Sequence, residues 1–297
     1  MRLLLCTLHL CQRTAQRRSS SPLQRNKGTI MFKAQLRRGR YELLRRLNRY
    51  RRTSGYRFTS AVIDGRHRVS LRDKTGRERL IDLRVGTSDY PLFQQMFGHP
   101  QYDLRSFARY PDIERRYREV LEAGKRPLIV DAGTNIGLSA LYWRDHYPEA
   151  AIIAIEPQPE NFAELKRRME ADELCVCLNA ALANFNGTVQ MEDPGLTECG
   201  FRTKRTSTGI PAYRLDAIME KVPWPVEPFI LKIDIEGFEA DLFDDPDIFD
   251  AYYVSLIELH DWMLPKQRTS ASFFRAFAPL DRDFLLHGEN IVSIKND

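Results

Sequence analysis

Long apolar runs are missing from this sequence, and no stretch approaches the roughly 20 apolar residues that cross a bilayer. The nearest, Leu3 to Leu10, already contains Cys6, Thr7 and His9, and no small-residue cleavage pattern follows it between Gln12 and Arg18, which argues against a cleaved secretory signal. Cysteine is scarce: Cys6, Cys11, Cys175, Cys177 and Cys199 form an odd set without zinc-type spacing. Cys175 and Cys177 fall two apart on an expected strand, share a face and are badly placed to bridge, so they read as buried free thiols of a reducing compartment. Acid is absent from residues 1–30 and appears only as Glu42 in residues 1–52, against 15 Lys and Arg, a net charge of +14. The other 245 residues carry 30 basic and 39 acidic groups, a net charge of −9. A nucleic-acid-binding catalytic domain should carry its positive footprint on the fold itself, so this asymmetry argues against one.

What is present divides the chain of 297 residues into three parts. Residues 1–30, rich in Arg, Ser and Gln, read as a disordered basic leader. Its composition is that of an organelle-targeting segment, and a start upstream of a true one at Met31 gives the same pattern. Residues 31–124 open with a basic amphipathic helix, Leu36, Leu43, Leu47 and Tyr50 marking its apolar stripe. A stripe docked on the domain is the plain reading of it; peripheral contact with a membrane surface or polyanion is the second. Short strands follow between Tyr56 and Leu83, with hairpin signals at Asp64-Gly65 and Lys74-Thr75-Gly76. A mixed helix-and-loop segment leads to a helix from Ile113 to Ala123, capped by Gly124. From residue 125 to 297 strands and helices alternate: strands at 128–132, 151–156, 175–179, 229–234 and 253–259, helices at 136–146, 159–171, 213–221, 238–243 and 270–278, and two closing strands near 283–287 and 291–295. Asn186-Gly187 signals a further hairpin, and Pro223 to Pro228 reads as a linker. The alternation predicts an α/β fold with a doubly wound, mainly parallel sheet.

Three strand ends carry the chemistry. The first is Asp131-Ala132-Gly133-Thr134-Asn135-Ile136-Gly137, a buried strand running into a glycine turn and then a helix; the next strand ends on Glu156, 19 residues after Gly137. Ligands of open α/β sheets bind beyond the carboxyl ends of the strands, where Glu156 is placed to accept both hydroxyls of a ribose. A dinucleotide fingerprint needs a second glycine where Asn135 stands, to admit a pyrophosphate. S-adenosyl-L-methionine carries no phosphate and suits this turn better. Gly133, Asn135 and Gly137 are expected to line its methionine portion, Asp131 to organise the turn and engage the amino group, Asn161 to support the loop at Glu156, and Asn179 and Ala180 to lie near the adenine edge. The second strand end, Lys232-Ile233-Asp234-Ile235-Glu236-Gly237, alternates charged and apolar residues, three charges that are costly to bury unless paired. Lys232 either neutralises Asp234 or takes part in chemistry. The third is Glu258-Leu259-His260. Asp234 and His260 are the candidate bases, with Glu236 and Lys232 as supporting charges. No metal-ligand spacing is recognisable, so no metal is expected; Asp234, Glu236 and His260 are the set that could hold one.

Together these segments, with Gly86-Thr87-Ser88-Asp89, Ile155-Glu156-Pro157, Asn161-Phe162 and Asn179-Ala180-Ala181-Leu182, resemble the FkbM family of S-adenosylmethionine-dependent methyltransferases between about Arg84 and His260. Thr134 departs from the small residue common there. The resemblance implies a Rossmann-like class I methyltransferase sheet behind a helical and β-hairpin appendage. It also implies O-methylation of a hydroxyl on a small-molecule, natural-product or glycan acceptor, in the cytoplasm or, if the leader targets it, an organelle. Segment 87–102, rich in aromatics, is the expected substrate wall. The rivals are a nicotinamide-dependent oxidoreductase, a non-catalytic cofactor-binding module and a nucleic-acid methyltransferase; the last lacks the Asn/Asp-Pro-Pro-Tyr/Phe turn of many base-amino methylases.

Overall fold

The computed structural model describes residues 55–99, 101–192, 202–236, 238–261 and 266–296. The leader and the basic helix expected from Met31 to Tyr50 lie outside them, as do Cys6, Cys11 and Cys199. The compact unit from Arg51 to Asp297 is the subject below.

A meander opens it: β1 (Arg57–Ile63), β2 (Arg66–Arg72) and β3 (Glu78–Arg84) pair antiparallel through the two expected turns. Helix α1 (Asp89–Phe93) runs into a π-turn over Gln94–Gly98, and α2 (Tyr110–Glu122) ends at Gly124, whose φ of 72° needs no side chain in the way. The central elements then alternate: β4 (Arg126–Ala132), α3 (Leu138–His146), β5 (Ala151–Ile155), α4 (Pro159–Met169), β6 (Cys175–Leu178). After a side sheet come β11 (Val226–Ile233), β12 (Val254–Glu258), β13 (Arg282–His287) and β14 (Asn290–Lys295). The seven-stranded sheet has the order β13-β14-β12-β11-β4-β5-β6, parallel from β12 to β6, with β14 antiparallel to both of its neighbours. This is the doubly wound, mainly parallel Rossmann-like sheet that the alternation predicts.

Successive residues of each central strand feed opposite cores, as the pleat requires. On one face Ile129, Ile152, Ile230 and Leu256 pack with Trp143, Tyr142 and the meander residues Val69 and Leu83. On the other, Val130, Ile153, Leu231 and Ile257 pack with Leu215, Phe249 and Phe277. Residues on either side of position 124 therefore share one core. Deleting a buried side chain of this kind typically costs about 2–5 kcal/mol.

Several expectations need correction. Asn186-Gly187 does not join a hairpin: β7 (Ala181–Leu182) and β8 (Gly187–Glu192) are separated by β10 (Ile210–Tyr213) in a four-stranded sheet of order β7-β10-β8-β9. Two of its strands, β9 (Arg202–Thr206) and β10, were not foreseen; Arg-Thr-Lys-Arg-Thr has no apolar residue to betray a strand. The expected linker 223–228 supplies the start of β11, a bulge between Pro228 and Ile230 absorbing the proline that cannot donate to the ladder. The helix expected over 213–221 shortens to α5 (Leu215–Met219), and that over 238–243 is a 3₁₀ turn, Phe238–Asp241. A short α6 (Pro246–Asp250) was missed; α7 (Ala271–Phe277) matches its expectation. Cys175 and Cys177 are half-buried free thiols, their sulfurs 3.9 Å apart.

Candidate active site

Strand order reverses between β4 and β11, and helices leave to opposite sides there, so a crevice opens at the carboxyl ends. Register places Lys232 of β11 directly beside Asp131 of β4 at this switch point. Both are almost fully buried, at 1% and 0% exposure. The Lys232 ammonium donates to the carbonyls of Gly133 (2.7 Å) and Ala132 (3.2 Å) and lies 3.4 Å from both Asp131 Oδ1 and Asp234 Oδ2. Burial opposes its charge, but the surrounding acidic groups hold its pKa above the usual lysine value. Its donors are all engaged. Of the two sequence readings, the structural ion pair describes its contacts. Asp131 sits behind this lysine, and burial raises its pKa.

The glycine turn is shaped by chain-to-chain contact. Gly133, Asn135 and Gly137 have φ of 78°, 53° and 85°. A Cβ on Gly133 would stand 1.8 Å from the Asp234 carbonyl, so the turn can lie against the β11 loop only without a side chain. A Cβ on Gly137 would meet Leu165 Cδ1 at 2.9 Å. Gly133 and Asn135 line the crevice, whereas Gly137, expected to line it, instead admits α4 against α3. Thr134 is a staple: its hydroxyl donates to Asp131 O (2.7 Å) and accepts from Ile155 N–H (3.0 Å), tying the turn to β5.

Glu156 follows β5 and lines the crevice. One carboxylate oxygen accepts from Asn135 N–H (2.8 Å), the other from Gln158 N–H (2.9 Å). Burial nevertheless lifts its pKa to about 7, those hydrogen bonds opposing the shift. Behind it runs a chain that the sequence did not reveal. Arg84, at the end of β3, donates to Asn161 Oδ1 (2.7 Å) and grips the fully buried Asp89 (2.7 Å), while Asn161 also lowers the pKa of Glu156 by hydrogen bonding. Asn161 thus supports the loop as expected, and Asp89 of the Gly-Thr-Ser-Asp segment is joined to the crevice through Arg84. Asn179 donates to the carbonyls of Glu156 (2.9 Å) and Pro157 (3.0 Å), holding that segment from behind. Neither Asn179 nor Ala180 lines the crevice; their successors Ala181 and Leu182 do.

The opposite wall is acidic. Asp234 and Glu236 line it, Glu236 in a left-handed conformation with φ of 58°. Burial, reinforced by the Asp234 carboxylate, raises the Glu236 pKa to about 8. Glu258 is raised to about 9 by the same two causes. His260, 1% exposed, lies behind this wall and does not line it. Its Nδ1 is 2.9 Å from Oε1 of the buried Glu239, a partner that sequence reasoning did not single out although it stands three residues after Glu236. Burial opposes a charge on His260, but Glu239, Asp234 and Glu236 outweigh it and raise its pKa to about 10. His260 does not reach the crevice surface, so it is poorly placed to take a proton from an acceptor there. Asp234, Glu236 and His260 bring three ligand atoms within 4.8 Å of one another, the one such set among the described residues. From segment 87–102, Leu92, Met96 and Tyr102 complete the crevice, Tyr102 stacked on Trp143 at 5.4 Å. The space enclosed, part of it continuous with solvent, is about 930 Å³.

A crevice at the switch point of a doubly wound sheet, with a buried carboxylate at the end of the second central strand, has the layout of a nucleotide- or nucleoside-binding α/β fold. The profile of the Methyltransferase FkbM domain matches residues 131–286, more than half of the chain, and the chain belongs to that family. Methyltransferase 1 of Beauveria bassiana (strain ARSEF 2860) is 28% identical over 160 residues, 44% of this chain and 64% of its own length. Methyltransferase sdnD of Sordaria araneosa is 34% identical over 76 residues, 25% of this chain and 29% of its own. The chain thus spans less than two thirds of either relative. Among solved structures, the bifunctional kinase-methyltransferase WbdD covers 68% of this chain and 42% of its own at 11% identity, with a TM-score of 0.35.

The cofactor that goes with this domain is S-adenosyl-L-methionine. The residues fit it. Of the four lone-pair directions of the Glu156 carboxylate, two accept backbone N–H groups and one the Asn161 side chain, which leaves one for a ribose hydroxyl. The buried Oδ1 of Asn135 has no hydrogen-bond partner among the described residues, an acceptor waiting for a donor.

Proposed function

We propose that the protein transfers a methyl group from S-adenosyl-L-methionine to a hydroxyl oxygen of a small-molecule, natural-product or sugar-containing acceptor. The observation that carries this reading is the polarity of the crevice. One wall presents Glu156 and Asn135, and the facing wall presents the carboxylates of Asp234 and Glu236. When bound, the cofactor supplies an electrophilic methyl carbon whose bonding pair to sulfur stays on sulfur as the new bond to oxygen forms.

The chain's own residues do the rest. Glu156 and Asn135 anchor the nucleoside end, so the acceptor end is fixed toward Asp234. Fixing two reactants in line is worth up to about 7–11 kcal/mol of barrier. Leu92, Met96 and Tyr102 shield that space from water and give the acceptor an apolar wall. Asp234 takes the hydroxyl proton; of the two candidate bases it alone lines the crevice. A positioned base contributes roughly 10²–10⁴-fold. Asp234→Asn is expected to lower turnover by about that factor with the cofactor affinity little changed. The test is incubation of the purified protein with isotopically labelled cofactor and a panel of hydroxylated acceptors. Label found only on nitrogen or carbon, or an Asp234→Asn protein turning over normally, defeats the assignment.

A further inference from the structure

We propose that the carboxylates of Asp234 and Glu236 and the imidazole of His260 form a binding site for one divalent transition-metal cation at the acidic wall of the crevice. One ligand atom from each lies within 4.8 Å of the others. Ligands about 2.0–2.4 Å from a shared ion stand about 3 Å apart when adjacent and up to about 4.8 Å apart when opposite. The spread suits a single ion.

The histidine distinguishes this group from an ordinary acidic patch. Its side chain is 1% exposed and anchored through Nδ1, 2.9 Å from Glu239 Oε1. Glu239 is itself fully buried and receives Ile235 N–H at 3.3 Å, so it cannot swing away freely. Among the described residues the ring nitrogen at the other side, Nε2, makes no hydrogen bond. It points among carboxylate oxygens of Asp234, Glu236 and Glu258 at 3.6, 3.6 and 3.7 Å, beyond the range of an N–H···O bond. A buried carboxylate holding Nδ1–H turns Nε2 toward these oxygens, and an ion binding there takes the place of the Nε2 proton, the arrangement that orients metal-binding imidazoles.

Charge argues the same way. Asp131, Asp234, Glu236, Glu239 and Glu258 crowd around Lys232 and His260. Lys232 spends itself on two carbonyls, on Asp131 and on Oδ2 of Asp234, while Oδ1 of Asp234 faces His260. The lysine neutralises the far side of Asp234 and leaves the near side anionic. An imidazole among carboxylates suits a first-row transition metal better than Ca²⁺, which takes oxygen ligands, and Mn²⁺ is the member of that group that also accepts carboxylates readily. What the ion would do rests on the methyl-transfer reading: it would make an acceptor hydroxyl more acidic, so that Asp234, one of its ligands, takes the proton more readily. Ion binding itself does not rest on that reading.

The two are measured apart. Full-length protein stripped with EDTA and dialysed is titrated with MnCl₂ by calorimetry, without cofactor or acceptor, with free Mn²⁺ followed by electron paramagnetic resonance. One equivalent should bind, saturating below about 0.1 mM, and raise the melting temperature. Glu236→Gln should weaken uptake by at least about tenfold, and the positioning change Glu239→Gln by roughly 10–100-fold. Both variants are melted in EDTA, where losing one of several like charges should leave them as stable as the parent. Should either fail to fold, the parent still decides: spin-echo modulation of bound Mn²⁺ must show one histidine nitrogen. No uptake at about 1 mM, uptake unaltered in Glu236→Gln, or bound Mn²⁺ without a nitrogen signal overturns the site. Mn²⁺ uptake with no acceptor methylated would instead sink the methyl-transfer reading and leave the site standing.

Discussion

At the residue scale Glu156 is the most informative position. Burial holds its pKa near 7 although two backbone N–H groups and the Asn161 side chain serve it, and a further hydroxyl donor would favour the anion. Cofactor binding should therefore expel a proton, and affinity should fall as the pH drops below about 7, visible as buffer-dependent heats in calorimetry. Glu156→Gln should weaken binding by about tenfold or more and flatten that pH dependence; a mutant retaining both would remove the residue from the site. The sign for stability is the reverse. A carboxyl whose pKa is raised by folding contributes stability below its unfolded value, and this is lost as the pH rises toward 7. Cofactor-free protein should thus lose stability from this group between about pH 4.5 and 7, and Glu156→Gln should lose less over that range. Thr134, which looked like a mild departure, is the second case. Thr134→Ala strips two buried hydrogen bonds and leaves the Ile155 N–H unserved, a cost of about 1–3 kcal/mol. The melting temperature should drop by several degrees; an unchanged value would show that a water replaces the hydroxyl.

At the scale of elements, the meander does more than flank the sheet. Arg84 at the end of β3 connects the buried Asp89 to Asn161 and so to the Glu156 carboxylate that lines the crevice. Arg84→Met should leave Asp89 buried and unpaired, a loss of about 3–5 kcal/mol, and also weaken cofactor binding although Arg84 does not line the crevice. A variant of lowered stability but unchanged affinity would show that the chain ends at Asn161. The support that Asn161 gives the loop was legible beforehand; its link through Arg84 to Asp89 was not. Asp131, Gly133 and Glu156 announce themselves because strand, turn and acid are contiguous in sequence. Arg84 and Asn161 are 77 residues apart and meet only because the meander packs on the helical face of the sheet. The side sheet escaped for a related reason: β7 pairs in parallel with β10, a partner about 30 residues away, and the polar β9 has no alternation to read.

For the whole molecule, charge is divided along the chain. The described residues begin at 55, after the strongly basic residues 1–52. Removing residues 1–52 should abolish salt-sensitive retention on heparin, since +14 of charge goes with them. Persisting retention would place a basic surface on the domain itself, against its net charge of −9.

The sequence by itself determined the class of fold, the glycine turn and the carboxylate at the second strand end, because these depend on periodicity and on residues adjacent along the chain. Tertiary structure decided what the neighbouring charges are for. Lys232, Asp234, Glu236, Glu239, Glu258 and His260 come from two stretches of chain, 232–239 and 258–260, and whether an acid or an imidazole is base, anchor or ligand depends on which others stand within about 4 Å in a medium that screens weakly. Distance and burial are set by strand order, and strand order is written in no single stretch of the chain.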